Sequence, residues 1–423
     1  MTSPRLPALL CDATFHGTLA AVRSLGRGGI PVFVADPARM TPAAWSRYAT
    51  RTLQSPRVSD ASRFLEWLVR LGEREGSLVV YPTSDEMAFL LSSHQGQLAS
   101  HFALYQPDAD TMLRVLDKKR LLEAAALAGI DAPDTFFPET AAEVERIARQ
   151  AEGPLLLKPR TQLFLEAHGK GSLVPAAAEL HEAFDAYRRD HHYMPPVSDR
   201  MPELMPPMLQ RYHPEAAEGI YSLSGFRSRS GDLLRMLGAT KVLQRPRRLG
   251  IGLCFESAPV PDDVRARARR LLEVLGYFGV FELEFIHVQG RHLLIDMNPR
   301  FYNQLQLDVS RGLDLPRLAY AAALGDEGEV ASIAARPPPD PPVQAFCNGI
   351  GLRILVGAQR TFGTMSGAEA SRWEAWRRGH GRGLVDSIAA DDDPGPVLAE
   401  GAGQLYSCLR HPRAFLRMIA LDR

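Results

Sequence analysis

Phe281–Arg300, FELEFIHVQGRHLLIDMNPR, contains two strand-like runs, FELEFIHV and HLLIDM, joined by Gln289-Gly290-Arg291. The short glycine-bearing joint suits a β-hairpin. Side chains two apart on a strand share a face, so Glu282 lies with Glu284, and Asp296 with Asn298. Pairing the runs brings Glu284, Asp296 and Asn298 together as hard oxygen donors, with the Arg300 cation just beyond. Mg²⁺ favours such oxygens and leaves positions open for water and substrate phosphates. An edge hairpin with solvated acids on its outer face is the other account of the same spacing. Ile295 and Met297 supply the alternate apolar face that either account needs.

The flanks extend the pattern. Val264–Tyr277 has helical spacing ahead of the hairpin, and Asp308–Gly325 follows it as a helical region. Between them, Tyr302, Asn303 and Gln304 place bulky, amide-bearing side chains directly after Arg300. Upstream, Gly219–Arg227 and Leu233–Ala239 form an antiparallel pair around Ser230-Gly231-Asp232. Lys241 and Gln244-Arg245-Pro246-Arg247-Arg248 then gather cations in one short segment, either facing anionic substrate groups or as a solvated loop. Leu155–Lys158 is an apolar strand ending in a lysine, whose ammonium needs a partner if it is to be buried. Gly169-Lys170-Gly171-Ser172 is a small glycine loop able to offer backbone N–H groups. A helix spans Asp110 to Gly129, and residues 191–208 form an irregular Pro- and Met-rich connection.

The N-terminal part alternates strand, helix and strand: Pro7–Ala13, Gly17–Leu25, Ile30–Asp36, then Phe64–Gly72 and Ser77–Tyr81. This order implies a right-handed parallel α/β unit. His16-Gly17 lacks the G-x-G-x-x-G fingerprint, which argues against a dinucleotide site. Thr83-Ser84-Asp85-Glu86 follows a strand's C-terminal end, where ligands of open sheets gather; a helix cap is the alternative for Ser84. At the other end, Arg336–Pro342 is a stiff proline linker before a small appendage. Trp373 and Trp376 are core candidates there, and Asp391-Asp392-Asp393 a solvated cap.

The 423 residues allow two or three domains, and 45% hydrophobic with 23% charged residues fits an ordinary globular chain. Lys+Arg and Asp+Glu are 49 each, so no bulk field attracts nucleic acid or a membrane surface. No apolar run approaches the ~20 residues of a spanning helix, and Met1–Gly17 lacks a signal-like core. Cys11, Cys254, Cys347 and Cys408 are far apart in sequence and form no C-x-x-C pair. A reducing cytoplasm is the expected location.

An acidic E-F strand, a hairpin and then acid-x-N-P-R is the metal signature of the ATP-grasp superfamily, which the chain resembles over about residues 5–325 in Glu284-Phe285 and Asp296-Met297-Asn298-Pro299-Arg300. Asp296 stands where that family usually has Glu. The resemblance implies α/β and α+β architecture: a Rossmann-like domain over 1–110, ATP-grasp subdomains over 111–208 and 209–335, and a C-terminal appendage over 336–423. It implies an ADP-forming ligase that activates a carboxylate as an acyl phosphate for an amine or thiol. ATP and Mg²⁺ are its expected cofactors. Metal ligands would be Glu284, Asp296 and Asn298; Lys118, Lys158, Lys170, Gln210, Tyr212 and Glu218 would bind the nucleotide. Leu209–Pro214 resembles the hinge strand beside adenine, with Arg211 where the family often has Glu. Arg300 and Lys241 would be the catalytic cations, and residues 302–304 would face the acceptor. Expected partners are a small carboxylate and an amine, without nucleic acid or membrane; a homodimer is left open. A kinase, a carboxylase or a non-catalytic nucleotide-binding regulator are alternatives on the same fold.

Overall fold

The computed structural model describes residues 5–166, 171–217, 219–245 and 250–413. The N-terminal region is a five-stranded parallel sheet with Ala8–Leu10 at its centre. Val32–Asp36 and Arg51–Gln54 extend it on one side, Leu78–Val80 and Phe102–Ala103 on the other. The inner strands are apolar because helices cover both faces. Arg51–Gln54 is an exposed polar edge, so no apolar run announced it in the sequence.

A four-stranded antiparallel sheet runs Thr135–Phe136, Pro207–Arg211, Leu155–Pro159, Ser172–Val174. Leu155, Leu157 and Leu209 bury one face against Val144, Ile147, Leu180 and Phe184 of two helices. The opposite face carries Leu156, Lys158 and Gln210 toward a cleft.

The cleft's other wall belongs to a seven-stranded sheet. In order it comprises Arg291–Asn298, Gly279–Val288, Ile220–Arg227, Leu234–Arg245, Ile251–Ala258, Ala345–Cys347 and Leu384–Asp386. The two last strands come from the segment after the proline run, so that segment contributes to the central sheet. Cys254 and Cys347 are direct cross-strand partners there, two buried free thiols with Sγ atoms 3.7 Å apart. Trp373 lies in the small core behind these strands.

Three local expectations need correction. The helix from Asp110 to Gly129 is two helices, Ala109–Leu116 and Lys118–Leu127, because Asp117 adopts an extended backbone and caps the second with its own carboxylate. Asp391–Asp393 is no solvated cap. Asp393 is wholly buried, accepting from Arg23 Nε at 2.9 Å, Ser46 Oγ at 2.7 Å and Arg47 N at 2.8 Å. Asp392 takes both Arg27 and the Tyr48 hydroxyl. Ile295 and Met297 do not share a face: a bulge between Glu284 and Phe285 inserts Ile295, which joins Asp296 at the cleft while Met297 enters the core.

Candidate active site

The hairpin turns on Gln289 and Gly290, whose φ values of 48° and 78° are the left-handed pair of a two-residue turn. That turn pairs Val288 with Arg291, a register that by itself would set Glu284 opposite Ile295; the bulge at Ile295 shifts it by one residue, so that Glu284 faces Asp296 and Glu282 faces Asn298. Glu284 and Asp296 both line the cleft, where each meets a lysine from another element.

Lys241 sits on Leu234–Arg245, two strands from Glu284, and its Nζ reaches Glu284 Oε1 at 3.0 Å across the intervening Ile220–Arg227 strand. Only 4% of Lys241 is exposed. Lys118 opens its helix and reaches Asp296 Oδ1 at 2.7 Å. Burial opposes its charge, yet the Asp296 carboxylate, aided by Asp85 and Glu284, raises its pKa. Two interactions hold that helix start against the Leu155–Pro159 strand. Asp117 accepts Arg160 Nε and Nη2 at 2.6 Å each, and the Lys118 N–H donates to Arg160 O. Lys118 and Lys158 are thereby brought to one cleft. Lys158 donates to Gln210 Oε1 at 2.9 Å. Ile220, Ile286 and Ile295 form the cleft's apolar wall.

Asn298 and Arg300 lie one step further along the hairpin. Asn298 Nδ2 donates to Glu282 Oε2, and its Oδ1 accepts Arg300 Nη2, both at 3.0 Å. Arg300 Nε in turn donates to Asp85 Oδ1 at 2.6 Å. Arg300 therefore spans the hairpin and the N-terminal domain, lining a separate hollow with Tyr81, Pro82 and Phe301. Gly17 lets that domain dock closely, since a Cβ there would lie 2.5 Å from Tyr302 O. Ser84 caps its helix by accepting the Met87 N–H, while Thr83 donates to Asp12.

Glu282 is a partner that the sequence placed only as a face-mate of Glu284. Burial and the Glu284 charge push its pKa up to about 7, against hydrogen bonds from Ser222 and Gln304. Those bonds correct the reading of the segment after Arg300. Gln304 is buried and supports Ser222 and Glu282, and Tyr302 donates to buried Asp308. Only Asn303 of the three is partly exposed, and it donates to Gly252 O. At the end of the Pro207–Arg211 strand, the Arg211 and Tyr212 N–H groups donate to Asp134 O and Pro154 O, and Arg211 pairs with the Asp134 carboxylate at 2.9 Å. Lys170 and Glu218 lie outside the described residues, as do Arg247 and Arg248.

Among the described residues no three His, Cys, Asp or Glu side chains form a metal cluster. The donor set is instead two opposed carboxylates, Glu284 and Asp296, in a lysine-rich cleft. That suits Mg²⁺, which takes one or two protein carboxylates and completes its shell with water and phosphates.

No family model matches the chain, and no curated protein matches it in sequence. Solved structures do. N5-carboxyaminoimidazole ribonucleotide synthetase of Thermus thermophilus is 19% identical with a TM-score of 0.55, over 76% of this chain and 78% of its own. The biotin carboxylase domain of Hydrogenobacter thermophilus 2-oxoglutarate carboxylase, solved with MgADP, ADP and bicarbonate, is 17% identical with a TM-score of 0.59, over 75% and 69%. Phosphoribosylglycinamide synthetase of Anaerococcus prevotii is 12% identical with a TM-score of 0.53, over 76% of each chain. Such identities speak for the fold alone, and they agree with the hairpin, the cleft and the N-terminal sheet: the chain has the ATP-grasp fold.

Proposed function

We propose that the protein is an ATP-dependent, ADP-forming ligase that activates a small carboxylate for attack by an amine or thiol. The observation that carries this is the convergence of three lysines, Lys118, Lys158 and Lys241, with two opposed carboxylates, Glu284 and Asp296, in one cleft with an apolar wall. Lysines and Mg²⁺ answer the charge of a triphosphate; the isoleucines answer a nucleoside. The substrate carboxylate oxygen attacks the γ-phosphorus, the bond to the bridging oxygen breaks, and ADP leaves. The acceptor then displaces phosphate from the acyl carbon and yields its proton to solvent or to the departing phosphate. Charge spreads over phosphoryl oxygens throughout, so cations and positioning are the main requirement.

Glu284 and Asp296 would hold Mg²⁺, with Asn298 beside them; bound there, the metal supplies charge neutralisation at the phosphates. Lys118 and Lys158 would hold phosphates, together with Lys170. Gln210, Tyr212 and Glu218 would sit toward the nucleoside end. Lys241 would orient Glu284, and Arg300, anchored by Asp85 and Asn298, would meet the acyl group. A carboxylase is the second reading, motivated by the neighbour solved with MgADP and bicarbonate. That neighbour is a domain dimer, which also motivates a homodimer here. No helix among the described residues is long and apolar enough to cross a membrane.

The test is ADP release from MgATP with amino and hydroxy acids, amines and bicarbonate supplied singly and in pairs. Release requiring a carboxylate and an amine or thiol together, and lost in Glu284→Gln with the fold retained, supports the ligase. Release driven by bicarbonate selects the carboxylase. Binding of ADP without release under any pairing removes both.

A further inference from the structure

We infer that Thr135 and Gln210 are positioning residues that aim the Lys158 ammonium into the cleft; the inference rests on the nucleotide reading of that cleft. Three side chains on adjacent strands of the four-stranded sheet form a directed chain. Thr135 Oγ1 donates to Pro133 O at 2.7 Å. Gln210 Nε2 donates to Thr135 Oγ1 at 3.0 Å, and Lys158 Nζ donates to Gln210 Oε1 at 2.9 Å.

Hydrogen counting makes the direction unique. A threonine hydroxyl has one hydrogen, here committed to Pro133 O, so toward Gln210 it can only accept. The Gln210 amide must therefore turn its NH₂ to Thr135 and its oxygen to Lys158. A flipped amide would set NH₂ against an ammonium, which has no acceptor. Gln210 is 1% exposed, so water cannot repair a wrong orientation. The register supports the same geometry: Gln210 faces Thr135 across one strand pair and Leu156 across the other, on the same face as Lys158 two residues along. A neutral amide, unlike a carboxylate, orients the lysine without itself cancelling the ammonium charge. The hydroxyl on Thr135 thus acts on the cleft through Gln210, without lining the cleft itself.

The experiment measures ADP affinity by calorimetry in the presence of Mg²⁺, for the full chain and four variants. Thr135→Val is expected to weaken ADP about tenfold, Thr135→Ser to restore it, and Gln210→Met to weaken it by a similar factor. Because Thr135 acts through Gln210, the double variant Thr135→Val with Gln210→Met should bind ADP no more weakly than Gln210→Met alone. A melting temperature lowered without the affinity change overturns the inference, as does additive loss in the double variant or failure of Thr135→Ser to rescue. Thr135→Val binding like the wild type overturns the relay while leaving the nucleotide site standing. A wild-type chain that takes up no ADP overturns the site itself, and the relay with it.

Discussion

Individual charges in the site are defined by what they touch. Glu284 and Asp296 each have a lysine within 3.0 Å, so each carboxylate meets an opposite charge in a partly closed cleft. Glu86 shows the opposite case. Burial, with the Asp85 charge adding, raises its pKa from 4.5 to about 7. In the unfolded chain it titrates near its ordinary value, so between those limits the folded chain binds the extra proton. Folding stability from this group is therefore complete below pH 4.5 and is lost as pH rises through 7. The shift corresponds to about 3 kcal/mol. Glu86→Gln should make that fall smaller, with urea denaturation at about pH 4 and about pH 8, on either side of the shift, giving midpoints closer together in the variant than in the wild type, the remaining fall belonging to groups such as Glu282. A variant keeping the wild-type slope would move the pH dependence to other carboxyls.

At the level of elements, two interruptions of regular structure build the cleft. The bulge at Ile295 adds an apolar side chain to the wall beside Asp296, without turning Met297 or Leu294 out of the core. The break at Asp117 lets Lys118 start a helix beside Arg160. Asp117 has no exposure and takes the Arg160 guanidinium through two bonds, so removing its charge leaves a buried cation short of its partner. Asp117→Asn should cost about 2–4 kcal/mol in urea unfolding. It should also raise the KM for ATP, because Lys118 loses its fixed start. Lys119→Ala, which removes only a side chain and keeps the backbone N–H that Asp117 caps, is the comparison; equal effects from the two would detach the break from the cleft.

Across the whole molecule, the C-terminal segment is fastened to the first helix of the chain by ion pairs of two kinds. Arg23–Asp393 is buried, with 1% of either side chain exposed, whereas Arg27–Asp392 is at the surface with 38% and 44%. Breaking a buried pair strands a charge and costs about 3–5 kcal/mol, while a surface pair contributes under about 1 kcal/mol. Asp393→Ala should therefore lower the unfolding midpoint sharply and expose residues 384–410 to protease. Asp392→Ala should do neither. A protease pattern unchanged by Asp393→Ala would mean that the strand pairing of Leu384–Asp386 alone holds the segment.

Short-range chemistry was legible from residue order alone. Spacing in Phe281–Arg300 specified the hairpin and the face shared by Asp296 and Asn298, because period-two alternation and a glycine turn are local properties, whereas the bulge that sets Glu284 opposite Asp296 was not written in that spacing. Lys158 at the end of an apolar strand was visible for the same reason, as was the α/β start of the chain. What joins distant positions was not. The Lys241–Glu284 contact crosses 43 residues, Arg300–Asp85 crosses 215 and Arg23–Asp393 crosses 370. No local pattern encodes such a partner. Tyr302 and Gln304 look alike as polar groups following Arg300, yet the core claims both because Asp308 and Glu282 need donors there. Asp393 sat in an acidic run that suggests solvent, and only the tertiary fold supplied the arginine that lets it be buried. Local geometry follows from the order of residues, whereas the satisfaction of buried charge depends on which distant surfaces meet.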